Sequence, residues 1–266
     1  MWSLDGALRY VPLAALYDGK QYLIERYRMS VMTLASNARL KDRPDKKWEA
    51  AGFGATATLP SVASELAGII TTKPGDGGVL AGEIKLDDQF TQKSMRQTLL
   101  KHYPVVHIAS HFNFQPGNET KSFLLLGDGG HLTLAEMKSA ANLFGGVQLL
   151  TLSACNTGVG DGAEVEGFGT LAQRQGAKAG VASLWPVADA STAVLMREFY
   201  RVREANPTST KLDALRQAQL GLLHAKGAGP ASSQRALVHE PADPAAPHDF
   251  RHPYFWAPFF LMGNWL

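Results

Sequence analysis

One cysteine in 266 residues excludes an intrachain disulfide framework and points to a reducing compartment. Charge of one sign is also lacking: 26 Lys and Arg stand against 24 Asp and Glu, for a net charge of +2. Nucleic-acid binders gather Lys and Arg on one face, and no such stripe is present. No apolar run reaches the roughly 18 residues that a membrane-spanning helix needs. The opening MWSLDGALRY has no basic segment followed by a long apolar one, so it does not read as a secretory signal. There is no Gly-x-Ser-x-Gly elbow for a hydrolase serine. The Gly-rich stretch GVGDGAEVEGFG lacks the Gly-Lys-Ser/Thr ending of a phosphate loop. His248 and His252 stand four apart, but neighbouring prolines argue against the helix that a metal pair would need. These absences predict a soluble, cytoplasmic protein that uses no cofactor, metal, nucleic acid or membrane.

What is present is an ordinary globular composition, 45% hydrophobic and 19% charged, long enough for a sizeable core. Residues 1–45 read as a β-rich opening segment, with turn signals at Asp5-Gly6 and Asp18-Gly19. SVASELAGII follows Pro60 and begins with Ser61. Glu65 stands four residues on, and the pair reads as a capping box opening a helix. TTKPGDGGVLAGE reads as a loop and FTQKSMRQTLLKHY as a helix. PVVHIASHFNF is a strand running into a loop. KSFLLLGDGGHLTLAEM is a short strand, a turn and the start of a helix. VQLLTLSAC and AGVASLW are apolar strands of the kind buried on both faces. EVEGFGTLAQRQGA, DASTAVLMREFYRVREA and TKLDALRQAQLGLLHA read as helices. KGAGPASSQRALVHEPADPAAPHDFRHP reads as an exposed loop, and YFWAPFFLMGNWL as a closing aromatic strand. Over residues 46–266, strands alternate with helices, which predicts an α/β fold with a mostly parallel sheet.

In such sheets reactive residues collect at the carboxyl ends of the strands. Two strands end in residues able to do chemistry, one at His111 and one at Cys155, 44 residues apart. A thiol becomes a strong nucleophile when an imidazole takes its proton. The small residues after Cys155 leave its amide free to approach a developing oxyanion. Against this stands the plain alternative that a lone cysteine on an apolar strand is buried packing. His107 shares parity with His111 but lies deeper in the strand, and it reads as a hydrogen-bonded core histidine.

At VVHIASH and LLTLSACNTGVG the chain resembles the CHAT proteases, caspase-like domains related to caspases, metacaspases and separases. The opening segment, GAKAGVASLWPVADASTAVLMREFY, ALRQAQLGLL and HPYFWAPFFLMGNW resemble further blocks of the same family, so the likeness spans nearly all of residues 1–266. It implies a single caspase-like domain, a three-layer sandwich whose mostly parallel sheet is flanked by helices. It implies a cysteine endopeptidase acting on protein or peptide substrates, with Cys155 as nucleophile and His111 as general base. The family pattern has Gly after that histidine, whose amide helps form the oxyanion hole. Here the residue is Phe112, and the Cys155 amide is the other donor. Metacaspases carry an acidic residue two positions before the cysteine, where this chain has Ser153. Ser153, Asp161, Trp185 and Asp189 are the candidate substrate-pocket residues, with a helix cap the competing role for Asp189. The resemblance further implies a prokaryotic signalling or defence protease. Its switch would be a sensor or tetratricopeptide-repeat region in cis or trans, and entry into the fold near residue 4 fits a fragment or a trans-regulated subunit. The alternative is a catalytically weak caspase-like scaffold that binds partners, which the bulk of Phe112 favours.

Overall fold

The run VVHIA has no apolar–polar alternation, as a strand covered on both faces requires. In a computed structural model of the chain it forms β5 (Val105–Ala109), with every residue buried. The structure describes residues 11–33, 35–36, 40, 42–43, 47–57, 59–115, 117–153, 163–185, 187, 189–225 and 249–266, with the backbone alone for 163–168 and 189. Two of the candidate site residues, Cys155 and Asp161, are therefore outside the described residues. So is most of the KGAGPASSQ loop.

β5 lies near the middle of an eight-stranded sheet, between β2 (Glu49–Gly54) and β9 (Leu149–Leu152). Beyond β9 follow β10 (Ala179–Ser183), β11 (Phe259–Gly263) and β1 (Ser30–Val31), and beyond β2 follow β4 (Leu80–Leu86) and β3 (Ile70–Thr71). Every pairing is parallel except β10 with β11.

Successive side chains of a strand point to opposite faces, and each face here has its own helical layer. Ala50, Val105, Leu149 and Val181 pack with α2 (Val62–Ile69), α6 (Asp189–Ala205) and α7 (Lys211–Leu223) through Ile69, Phe199 and Leu215. Their sheet neighbours Phe53, Val106, Ile108 and Leu152 pack with α3 (Gln92–Leu99), α4 (Leu134–Ser139) and α5 (Ala163–Arg174) through Met95, Met137 and Leu171. The result is the expected α/β sandwich, a caspase-like arrangement of layers. Among the described residues, no helix is long and apolar enough to cross a membrane.

Four expectations need correction. The Asp18-Gly19 turn forms, with the Asp18 carboxylate accepting from the Lys20 and Gln21 amides. Only a single Tyr17–Tyr22 bridge follows from it. Among the described residues of 1–45, helical turns at Leu13–Ala15 and α1 (Leu23–Arg26), with the two-residue β1, stand where a β-rich segment was expected, and the Asp5-Gly6 turn lies outside the described residues. Tertiary contacts override strand propensity there: Ile24 is buried, and Arg216 of α7 donates to the Ile24 and Glu25 carbonyls at 2.7 Å each. Second, no side-chain cap is made by Ser61 to α2. A capping box needs the acid three residues on, and Glu65, at four, is turned into the interior. Third, the segment read as a loop contains the start of β4. Gly82 looks like a turn residue but is a close-approach position, since a Cβ there would lie 1.8 Å from the Ala50 carbonyl oxygen. Fourth, the closing aromatic segment begins with a helical turn, α8 (Pro253–Trp256), where Pro253 occupies the first turn that its fixed φ suits.

Candidate functional site

The carboxyl end of β5 is fixed from several sides. The Ala109 carbonyl accepts the Ala55 amide at 3.2 Å. One residue on, the Ser110 hydroxyl donates to the Leu125 carbonyl at 2.6 Å, and the Leu125 amide donates to the His111 carbonyl at 2.9 Å. The chain then enters β6 (Phe112–Asn113), which pairs antiparallel with β7 (Phe123–Leu125), and β7 with β8 (His131–Thr133). His111 thus sits, half-buried, at the junction of the main sheet and this small one.

Phe112 occupies the position where the related pattern has Gly. Its side chain is 2% exposed and joins the core layer of Leu124 and Ile108, with Phe114 stacked at 6.5 Å. Its backbone is ordinary strand: the non-glycine residues with left-handed φ, among those described, are Asp87, His102 and Asn142. Hydrogen-bonded and non-hydrogen-bonded pairs alternate along an antiparallel ladder. With the His111 carbonyl bonded to Leu125, the Phe112 N–H faces away from β7.

β9 runs beside β5 with His107 opposite Thr151 and Ile108 opposite Leu152, an offset of 44 residues. The Ser153 amide extends this pairing, donating to the Ile108 carbonyl at 3.0 Å. The Ser153 side chain is turned inward, to His107 Nε2 at 3.2 Å, and the residue is 6% exposed. The hydroxyl that the sequence offers to a substrate pocket is therefore engaged in the interior. Trp185 is half-buried against the core, stacks on Tyr254 and donates its indole N–H to the Tyr254 carbonyl at 3.1 Å. Asp189 opens α6.

His107 is, as expected, a hydrogen-bonded core histidine. It is fully buried, with Nε2 2.9 Å from Glu65 Oε1 and Nδ1 3.1 Å from the Tyr200 hydroxyl. That hydroxyl lies 2.8 Å from Thr151 Oγ1. Burial pushes the Tyr200 phenol well above its ordinary pKa, so it stays protonated. Tyr200 and Thr151 were not singled out from sequence, and Glu65 only as a helix-capping residue. One signal was available: Glu65 shares its helix face with Val62, Leu66 and Ile69, all buried, and a carboxylate on an apolar face needs a partner. Among the described residues no three His, Cys, Asp or Glu side chains gather as a metal site.

No curated protein matches the sequence significantly. A family profile does match, that of the CHAT domain, over residues 1–264. CHAT domains are caspase-like and related to proteases, and the layered, mostly parallel sheet agrees with that fold. With nearly its whole length matched, the chain belongs to the CHAT domain family.

Proposed function

We propose that the protein is a cysteine endopeptidase working through a dyad of His111 and Cys155. One observation carries the reading. The offset between β5 and β9 is 44 residues, and 44 residues also separate His111 from Cys155. Continued past the strand ends, that offset would bring His111 and Cys155 to one level, where α/β sheets build their sites.

In this reading His111 takes the Cys155 thiol proton and the thiolate attacks the scissile carbonyl carbon. In this reading the Phe112 and Cys155 amides receive the oxyanion. Collapse breaks the C–N bond, and the imidazolium protonates the leaving amine. Water then attacks the thioester as His111 takes its proton, and the C–S bond breaks to release the acid and restore the thiol. Asp161, Trp185 and Asp189 are the candidates for the substrate pocket in this reading. We read the activity as a regulated, cytoplasmic one in prokaryotic signalling or defence, answering to a sensor or tetratricopeptide-repeat partner.

The test is to incubate wild type, Cys155→Ala and His111→Ala with a protein library and map new termini by mass spectrometry. Both variants are expected to lose the cleavages that wild type makes. Equal cleavage by wild type and Cys155→Ala overturns the assignment.

A further inference from the structure

One ring nitrogen, His107 Nε2, meets both Glu65 Oε1 at 2.9 Å and Ser153 Oγ at 3.2 Å. In a serine-hydrolase triad the acid and the nucleophile sit on opposite nitrogens of the histidine. Here they share one, and the ring is wholly buried, so the trio is not a second catalytic site. It is a clamp. In the tautomer with the proton on Nε2, that N–H is shared between the carboxylate and Oγ, and Nδ1 accepts from the Tyr200 hydroxyl. The clamp joins three elements: Glu65 from α2, His107 from β5 and Ser153 from the end of β9.

Ser153 is held to β5 twice, by its side chain on His107 and by its amide on the Ile108 carbonyl. It stands two residues before Cys155. A slip of one residue between β5 and β9 moves one strand end about 3.3 Å past the other. A displacement of about 1 Å already costs a reaction on the order of a hundredfold. We propose that Glu65 and Ser153, joined through His107, are positioning residues that hold the two strand ends in register for the thiol–imidazole pair. This rests on the His111–Cys155 reading above. The buried carboxylate is costly to desolvate, and in this role it fixes the ring that fixes Ser153.

Because the chain has one cysteine, alkylation by iodoacetamide reports on Cys155 alone and needs no substrate. The rate is followed against pH by intact mass for wild type, Ser153→Ala, Glu65→Gln and His111→Ala. Thermal melts confirm that each is folded. Wild type is expected to show a thiol midpoint below the free value of about 8.5. Ser153→Ala and Glu65→Gln are expected to raise it by about a unit or more and to slow the reaction at pH 6.5 about tenfold. A role in packing alone lowers the melt without moving the midpoint. Glu65→Gln keeps the side chain's shape, and it decides the question if Ser153→Ala does not fold. A midpoint raised in His111→Ala but unchanged in the other two overturns the clamp and leaves the dyad standing. A midpoint unchanged in His111→Ala overturns the dyad, and the clamp with it.

Discussion

The amide of Ser153 donates to the carbonyl of Ile108 at 3.0 Å, carrying the β5–β9 pairing one residue past the last strand residue. On the proposed reading, strand register at this point sets how His111 and Cys155 meet. A bond inside a covered sheet opens only with the surrounding structure. The Ser153 amide should therefore exchange with solvent among the slowest in the protein, at a rate close to that of the Val106 and Leu150 amides. Hydrogen exchange read by NMR or mass spectrometry checks this. Fast exchange at Ser153 beside slow exchange at Leu150 would mean that the pairing ends earlier.

The Tyr200 hydroxyl bridges His107 Nδ1 and Thr151 Oγ1. Tyr200→Phe leaves two buried polar groups short of one partner, at a cost of about 1–3 kcal/mol. Thr151→Val removes one end of the same bridge. Because the two share a hydrogen bond, the double variant should lose less than the sum of the singles, by about 0.5 kcal/mol or more. Urea unfolding of the four proteins measures the coupling. Strict additivity would show that the bridge carries no free energy.

Phe112 replaces a residue that needs no side chain in the related pattern, yet here its ring is 2% exposed within the layer of Leu124 and Ile108. Phe112→Ala should cost about 3–5 kcal/mol, the range for a large aromatic removed from a core. Phe112→Gly should cost slightly more, because Gly also raises the entropy of the unfolded chain. Denaturant midpoints decide it. A loss below about 1 kcal/mol would show that the ring does not fill this layer.

Much of this architecture was legible. LLTL and AGVAS are almost wholly apolar or small because helices cover both faces, and that marked them as strands buried on both faces, while VVHIA was legible as a strand running into a loop. His107 was legible as interior by its depth in such a strand. What could not be read was the partner set: Glu65 comes from 42 residues before His107 and Tyr200 from 93 after it. No local pattern encodes a meeting of three elements. β4 was hidden for a different reason, since its Gly82 serves strand packing while Gly in sequence marks a turn. The inward turn of Ser153 was equally hidden, because alternation continues past a strand end only where the ladder does.

Lys211 supplies a pH test that is independent of any catalytic reading. It opens α7 fully buried, with its ammonium directed to the Leu266 carbonyl and 3.5 Å from Asn264 Oδ1. Burial first, then the positive charges of Arg203 and Lys178, push its pKa down to about 7. The unfolded chain holds this proton up to about pH 10.4. Between these two values the unfolded state binds more protons than the folded one, so stability rises with pH. Below about 7 the full cost of burying the charge is present. Lys211→Met removes the titration. The unfolding free energy of wild type should therefore gain on that of the variant from pH 7 to pH 10, by on the order of a few kcal/mol. Guanidinium titrations at a series of pH values measure the difference, which cancels the other groups common to both proteins. A gap that stays flat across the window would mean that Lys211 keeps its proton inside the fold.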